Sequence, residues 1–359
     1  MAFFGFITQF VRSILVIANV VVIIAMCVCG YAGVVSPEHH PWLEGLVLAF
    51  PIPLMLNILF LFLWLVVSPK HMLLPIVGMV LCWFPIRAYC PVNFSKEEVD
   101  DDCIKVMSFN VAAFNQCGPG GVNATFDYML SQDADIMCLQ EAYLGTKRRK
   151  DFDQRINGKY PYSFRMRKKG GETLAFYSKF PILSHEQIEY PSDTNISGAC
   201  MLDVWGDTLL LVNVHLRSTF LKKKEREEIS EMIKRKKINN EERTVMGKIC
   251  EAAAHRAPQA EAVADYLERH KGMPTILCGD FNDPPNSYAY HCVAQKLDNC
   301  FQNVGTGIKW TFNHNDMRVR IDNIFCSQDL QPVKCEIDTK TDVSDHFPIV
   351  CWIKKRPKP

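Results

Sequence analysis

Long apolar runs open the chain, and shorter ones recur after residue 90. Ile14 to Val35 (ILVIANVVVIIAMCVCGYAGVV) carries no charge and is long enough to cross a bilayer. Gly45 to Val67 (GLVLAFPIPLMLNILFLFLWLVV) predicts a second span, with two prolines that a membrane helix tolerates. Met72 to Ile86 (MLLPIVGMVLCWFPI) is short for a full crossing and suits a tilted, re-entrant or interfacial segment. Trp42, Trp64 and Trp83 fall near span ends, where interfacial aromatics gather. A signal peptide with Arg12 in its charged region is the competing reading of the first run. The apolar runs directly behind it favour an anchor of two to three helices over residues 1–90.

The pattern changes at Pro91. SKEEVDDD (95–102) reads as solvated, so residues 91–102 form an acidic connector and 103–359 a separate domain. There the apolar bursts have strand length: Ile104 to Val111, Asp135 to Leu139, Thr173 to Ser178, Thr208 to His215, Thr275 to Cys278, Ile321 to Cys326 and Phe347 to Ile353. Helical stretches intervene, the longest over about 220–270, with an apolar stripe through Ala253, Ala257, Ala260, Val263, Ala264 and Leu267. Mixed strands and helices without a glycine-rich nucleotide motif predict an α+β sandwich of two sheets with outer helices.

Charge sharpens the division. The first 90 residues hold only Arg12, Glu38, Glu44, Lys70 and Arg87, which leaves 37 basic and 37 acidic residues for the remainder. A neutral soluble part lacks the basic excess of an obligate nucleic-acid binder. Arg12 and Lys70 on the cytoplasmic side, with three crossings, put the large domain outside the cytoplasm; two crossings reverse this. KKKEREEISEMIKRKK (222–237) reads as a solvated helix or as a basic strip facing anionic lipid. The clusters Lys147-Arg148-Arg149-Lys150 and Arg165 to Lys169 read as solvated loops able to steer an anion. Among 15 cysteines there is no C-x-x-C pair, and most read as packed thiols; Cys103 and Cys117 suit a disulfide in an oxidising compartment.

The candidate chemistry lies where the apolar bursts stop. VMSFN ends at Asn110, DIMCLQE at Glu141, LLLVNVH at His215, and ILCGDFN at Asp280 and Asn282. RIDNIF carries Asp322 within an apolar run, and SDHFPIV places Asp345 and His346 just before one. Singly, each has an ordinary role: a cap, a turn, a core histidine, or for Asp322 an ion pair with Arg320. Together they are carboxylates, amides and two histidines at strand ends. Metal-assisted phosphoester hydrolysis needs that inventory: oxygen ligands for Mg²⁺ or Mn²⁺, an oriented histidine, and donors for the charge on phosphorus. In GDFND, Asp280 and Asn282 sit two apart on one face, while Asp283 and the prolines read as the turn.

The ordered set SFN, LQE, NVHL, GDFND, RIDNIF and SDHFPI resembles the endonuclease/exonuclease/phosphatase superfamily, the DNase I-like fold, across residues 103–353. FYSKFPI, RAPQA and NSYAY look like its bacterial, membrane-anchored branch. The resemblance implies a four-layer α/β/β/α sandwich with the site at one end of the packed sheets. It makes Glu141 the principal metal ligand, with Asn110 beside it and Asp345 as a further metal-site carboxylate. Asp280 and Asn282 orient water and contact phosphate, His346 is the catalytic histidine, and Asp322 holds its imidazole. His215 contacts phosphate or serves as leaving-group acid, with Glu172 as its orienting partner. Either Asp280 or His346 takes the proton from water, on one metal or two. The expected activity is a membrane-anchored, metal-dependent phosphodiesterase acting on a lipid headgroup or on nucleic acid. A nuclease, a phosphomonoesterase and an inactive binding module are the alternatives; no protein partner is indicated.

Overall fold

The computed structural model describes residues 2–94, 98–114, 121–168, 171–219, 240–314 and 317–356. Cys117, Lys169 and the charged segment 222–237 lie outside them, and so does any pairing of Cys103 with Cys117. Helices α1 (Ala2–Tyr31), α2 (Leu43–Ala49), α3 (Pro51–Val67), α4 (Leu73–Leu81) and α5 (Trp83–Tyr89) come first. Then follow β1 (Ile104–Asn110), α6 (Gly121–Ser131), β2 (Ile136–Gln140), α7 (Thr146–Ile156), β3 (Tyr162–Arg167), β4 (Thr173–Ser178), β5 (Ile182–Ile188), β6 (Ile196–Val204) and β7 (Asp207–His215). The chain continues through α8 (Asn240–Arg269), β8 (Thr275–Asp280), α9 (Tyr288–Ala294), β9 (Asp298–Asn299), α10 (Cys300–Val304), β10 (Phe312–His314) and β11 (Met317–Val319). It ends in β12 (Asp322–Cys326), β13 (Leu330–Ile337) and β14 (Ile349–Lys355).

Among the described residues the larger strands form two six-stranded sheets, ordered β13-β14-β1-β2-β4-β3 and β5-β6-β7-β8-β12-β9. Their facing sides share one core that includes Val106, Cys138, Phe176, Leu211, Cys278 and Ile324. Cys200, Cys326, Cys335 and Cys351 are buried in it too, so these cysteines act as small apolar side chains. Phe126 of α6 and Phe152 of α7 cover the back of the first sheet, against Phe109 and Met137. Ala260 and Val263 of α8 and Tyr290 of α9 cover the second, against Leu210, Val212 and Phe325. This is the expected α/β/β/α sandwich.

The period of two along each strand decides what the sheets enclose. In β1, Ile104 and Val106 enter the core between the sheets while Met107 and Phe109 face α6. Continuing the alternation puts Ser108 and Asn110 on the inter-sheet side. By the same count Cys138 and Gln140, Leu211, Asn213 and His215, and Cys278 and Asp280 share that interior. Each sheet is built on one parallel pair, β1 with β2 and β7 with β8. Parallel strands end together, so Asn110 lies opposite Gln140 and His215 opposite Asp280. Antiparallel β12 starts where β8 stops, which sets Asp322 opposite Asp280.

Polar contacts also organise the N-terminal helices. Asn19, Asn57 and Trp64 are fully buried: Asn19 Nδ2 donates to Asn57 Oδ1 at 3.2 Å and Trp64 Nε1 to Asn19 Oδ1 at 3.0 Å. Asn57 Nδ2 donates to the Pro75 carbonyl at 3.0 Å, fastening α4 to the first two long helices. Such bonds hold apolar helices together where no water competes. Gln9–Val34 and Leu43–Val67 are long and apolar enough to cross a membrane. The third apolar run is bent by 70° between α4 and α5 and makes up to a third span.

These helices dock on the sandwich. Arg87 Nη2 donates to the Gln302 carbonyl at 2.8 Å, Asn93 Nδ2 to that of Gly305 at 2.6 Å, and Asn286 Nδ2 to that of Pro85 at 3.2 Å. Arg320 donates to the carbonyl of Ala88. At Gly33 a Cβ would come within 1.8 Å of the Asn286 carbonyl oxygen, so only glycine permits that approach.

Gly279 is a second position, next to the site, where the backbone demands glycine. Its φ is 138°, and a Cβ there would meet the Val214 carbonyl oxygen at 2.0 Å. Gly279→Ala is expected to destabilise the chain by about 3 kcal/mol or more. A thermal melt of the full-length variant should show its Tm lowered by roughly 6–12 °C.

Candidate active site

At the common end of β1, β2, β7 and β8, the inter-sheet space turns from apolar to polar in two rungs. In the deeper rung Gln140 Nε2 donates to Asn213 Oδ1 at 2.7 Å and to Ser108 Oγ at 3.2 Å, joining the sheets through buried side chains. The outer rung is the site. Asn110 Nδ2 donates to Glu141 Oε1 and to Asp280 Oδ2, both at 3.0 Å, so one amide bridges a carboxylate from each sheet. Its Oδ1 accepts from the Ala112 N–H at 3.0 Å.

Asp280 is the hub. It is 1% exposed, and its Oδ2 lies 3.7 Å from His215 Nε2 and 3.8 Å from His346 Nε2. Its Oδ1 accepts from the Asn282 N–H at 2.8 Å. Asn282 has φ 51°, a left-handed conformation that Asn tolerates, and its Nδ2 donates to the Leu216 carbonyl at 3.0 Å. His346 Nδ1 pairs with Asp322 Oδ2 at 2.8 Å. The Ile321 and Asp322 N–H groups both donate to Thr311 Oγ1, which fixes the Asp322 backbone from the hairpin side. An Asp322–Arg320 ion pair, the ordinary alternative, is not what forms: Asp322 pairs with His346 while Arg320 turns to Ala88.

His215 Nε2 lies 3.8 Å from Glu141 Oε1, and its Nδ1 lies 3.7 Å from Glu172 Oε2, so Glu172 stands behind the imidazole. Glu141 has φ 51°, and its carbonyl accepts from the Ala113 and Tyr143 N–H groups, which hold that conformation. Asp345 is half-buried beside His346, and its carbonyl accepts from the Asn313 N–H at 2.9 Å. The side-chain hydrogen bonds described here join Asn110, Glu141 and Asp280, and separately His346 and Asp322.

Asp283 is more than the turn residue its sequence context implies. It is 2% exposed, and its Oδ1 accepts from Arg256 Nη2 at 2.5 Å. Arg256 Nη1 donates to the Arg217 carbonyl, and Gln259 Oε1 accepts from the Arg217 N–H. Two residues of the RAPQA stretch thus brace the loops that follow His215 and Asp280. The deep rung and this brace went unread in the sequence, although Gln140 and Asn213 are polar residues inside apolar runs. Of the basic clusters, Arg165 is not a solvated loop residue: it pairs with Asp153 at 2.8 Å and donates to the Tyr177 hydroxyl.

Burial pushes the Asp280 carboxyl up to about 6, and the neighbouring Asp322 carboxylate adds to this against the opposing pull of His346, His215 and Asn110. Burial alone would lower the pKa of His346, but the Asp322 and Asp280 carboxylates overcome it and raise the imidazole to about 10. His346 therefore stands as an imidazolium beside Asp322. Burial also raises the pKa of Glu172, partly offset by His215.

The donor set fits a small hard cation and an anion. Ligand atoms of Asp280, Asp322 and His346 lie within 4.8 Å of one another, and the Glu141 carboxylate, 34% exposed, opens to solvent beside Asn110. Asp322 Oδ1 and both ring nitrogens of His215 are buried without a hydrogen-bond partner, as expected where a ligand completes the site.

A family model, Endonuclease/Exonuclease/phosphatase family, matches residues 107–346, an interval that contains every one of these groups. The chain belongs to the endonuclease/exonuclease/phosphatase family. A second model, of a domain of unknown function, matches residues 12–89. Solved structures share the family fold. A family protein from Bacteroides thetaiotaomicron is 21% identical with TM-score 0.50, over 70% of this chain and 95% of that one. The human Nocturnin catalytic domain is 17% identical with TM-score 0.52, over 74% and 97%. Truncated Caenorhabditis elegans TDP2 is 16% identical with TM-score 0.50, over 72% and 100%. No curated protein matches.

Asp322→Asn keeps the shape of the His346 partner and removes its charge. The His346 pKa should then fall from about 10 toward the ordinary histidine range near ~6.5, because the charged form loses its main support. NMR titration of histidine-labelled protein without added metal reads this directly.

Proposed function

We propose that the protein is a membrane-anchored, divalent-metal-dependent phosphoester hydrolase, in the first instance a phosphodiesterase. The observation that carries this reading is the convergence of Asn110, Glu141, His215, Asp280, Asp322 and His346, from both sheets, on one polar centre. Glu141 with Asn110 would hold Mg²⁺ or Mn²⁺, with Asp345 as a further carboxylate at the rim. The metal supplies charge to stabilise the phosphoryl oxygens and a more acidic water.

The chain's own groups supply the rest. His346, its Nδ1 committed to Asp322, already carries a proton and presents Nε2 as a donor to charge developing on phosphorus. Asp280, with a pKa near neutrality, is the group able to take the proton from attacking water. Asn282 is held on Asp280 Oδ1 through its N–H, and with one Nδ2 hydrogen on the Leu216 carbonyl its amide has the other left for a phosphate oxygen. His215, backed by Glu172, is the remaining group able to hold a proton for the leaving oxygen.

The membrane assignment rests on the apolar helices and on where charge lies among them. The end of α1 and the start of α2 meet the sandwich through Gly33 and Glu44. Arg12 and Lys70 line a common cavity with Ser13 and His71, along the helices away from that seam. Three crossings with Arg12 and Lys70 in the cytoplasm leave the catalytic domain outside it. A site mounted beside the bilayer, on a domain with no basic excess, favours a lipid-type phosphodiester over nucleic acid.

Full-length protein in detergent should hydrolyse a phosphodiester with Mg²⁺ or Mn²⁺ and lose that activity in EDTA. Side-by-side assays on a chromogenic phosphodiester, a phosphomonoester, plasmid DNA and phospholipid vesicles choose the substrate class. Glu141→Ala and His346→Ala should each lower kcat by about 10²- to 10⁴-fold. Unchanged rates in both variants on every hydrolysed substrate would sink the reading.

A further inference from the structure

Glu44 is the acidic residue that opens the apolar stretch 43–67, and it is 2% exposed. An acidic group beside a membrane-length apolar run is costly unless paired, so its partner is informative. That partner lies outside the anchor. Helix α2 packs against α8, which brings the Glu44 carboxyl, its Oε1 buried without a hydrogen-bond partner, beside the carboxyl of Asp283. Asp283 in turn accepts from Arg256 Nη2, and all three side chains are about 2% exposed.

The stoichiometry of this cluster is specific. Two carboxyls and one guanidinium share a dry site, and two neighbouring carboxyls there need one proton between them. With Arg256 aimed at Asp283, the proton belongs on Glu44, which can then donate to Asp283. Asp283 directly follows Asn282, and Arg256 also holds the Arg217 carbonyl, two residues beyond His215. A side chain from outside the matched catalytic region therefore closes the brace that holds both catalytic loops.

We propose, resting on the hydrolase reading above, that Glu44 is a positioning residue: by donating to Asp283 it fixes the loop that carries Asn282 and couples the anchor to the active centre. Asn286 Nδ2 on the Pro85 carbonyl and the close approach of Gly33 to Asn286 secure the far side of the same loop. The anchor is in this sense a working part of the site and not only a tether.

The test uses the full-length chain in detergent, with Glu44→Ala, Glu44→Gln and Glu44→Asp, and exposed Glu38→Gln as the control. Kinetics use the chromogenic phosphodiester; hydrogen–deuterium exchange is followed on peptides covering 279–287 and 215–219. Glutamine keeps a donor at full length and should retain wild-type kcat and exchange. Alanine removes the donor and aspartate withdraws it, and each should lower kcat about tenfold or more with KM within about twofold. Both should also speed exchange in those two loops, with β1 and β14 unaffected. Wild-type kcat and exchange in Glu44→Asp and Glu44→Ala would overturn the assignment. If Glu44→Ala fails to fold, the order of Gln above Asp still decides it, and equal values overturn it. If wild type turns over no phosphoester, the hydrolase reading fails by itself, and the exchange order still tests the coupling of Glu44 to the loop.

Discussion

Asp280 is a buried carboxyl at the point where the two sheets meet, and the rest of the site is arranged around it. Burying a carboxylate is costly unless it is bonded and faced by positive charge. Here the Asn110 amide and the Asn282 N–H bond its two oxygens, and two imidazoles stand 3.7–3.8 Å away. The compensation is incomplete, and so its pKa sits near 6 and not in the usual carboxylate range. On the proposed hydrolase reading that partial compensation is useful: a fully paired Asp280 would be a poor base, and an unpaired one would stay protonated.

Keeping Asp280 in that state depends on register more than on any single contact. A one-residue slip of β8 against β7 or β12 would turn the side chain away from the inter-sheet space and break its alignment with His215 and Asp322. Gly279 and the buried Gln140–Asn213 bond guard that register from below, where the sheets are pressed together. The Arg256 and Gln259 brace guards it from above. The geometry of the candidate site and the stability of the fold are therefore imposed by the same strands.

The sequence carried the site in good part because strand ends are local features. Apolar bursts that stop at Asn110, Glu141, His215 and Asp280 can be read without knowing which strands are neighbours, and parallel pairing then brings the ends together. The sandwich was legible for the same reason. The half-exposed strands β3 and β5 and the hairpin β10–β11 were harder to see, because their alternation is weak or their length short. Least legible was anything depending on distant partners. Asp283 followed by two prolines has every local mark of a turn, and Glu44 looks like a stray charge at the head of an apolar run. Their meaning appears only when residues 44, 256 and 283 meet. The bend between α4 and α5 was foreshadowed only by the shortness of the apolar run.

The seam between the N-terminal helices and the sandwich bears on what the proposed hydrolase can act upon. Two bodies in one chain move independently by default unless their interface is extensive. This pair does not have that character, since Arg87, Asn93, Asn286 and Arg320 bond across the seam and Glu44 is buried in it. The contacts land on residues 283, 286, 302, 305 and 320; of these, 283 and 286 follow Asn282 and 320 precedes Asp322 in the chain. On the membrane reading, the active centre is then held at a set height and tilt above the bilayer. A tethered enzyme samples a volume and suits a soluble substrate; a mounted one samples a surface. The hydrogen bonds across this seam are those of a mount, which is the physical reason to look first among phosphoesters that the membrane itself presents.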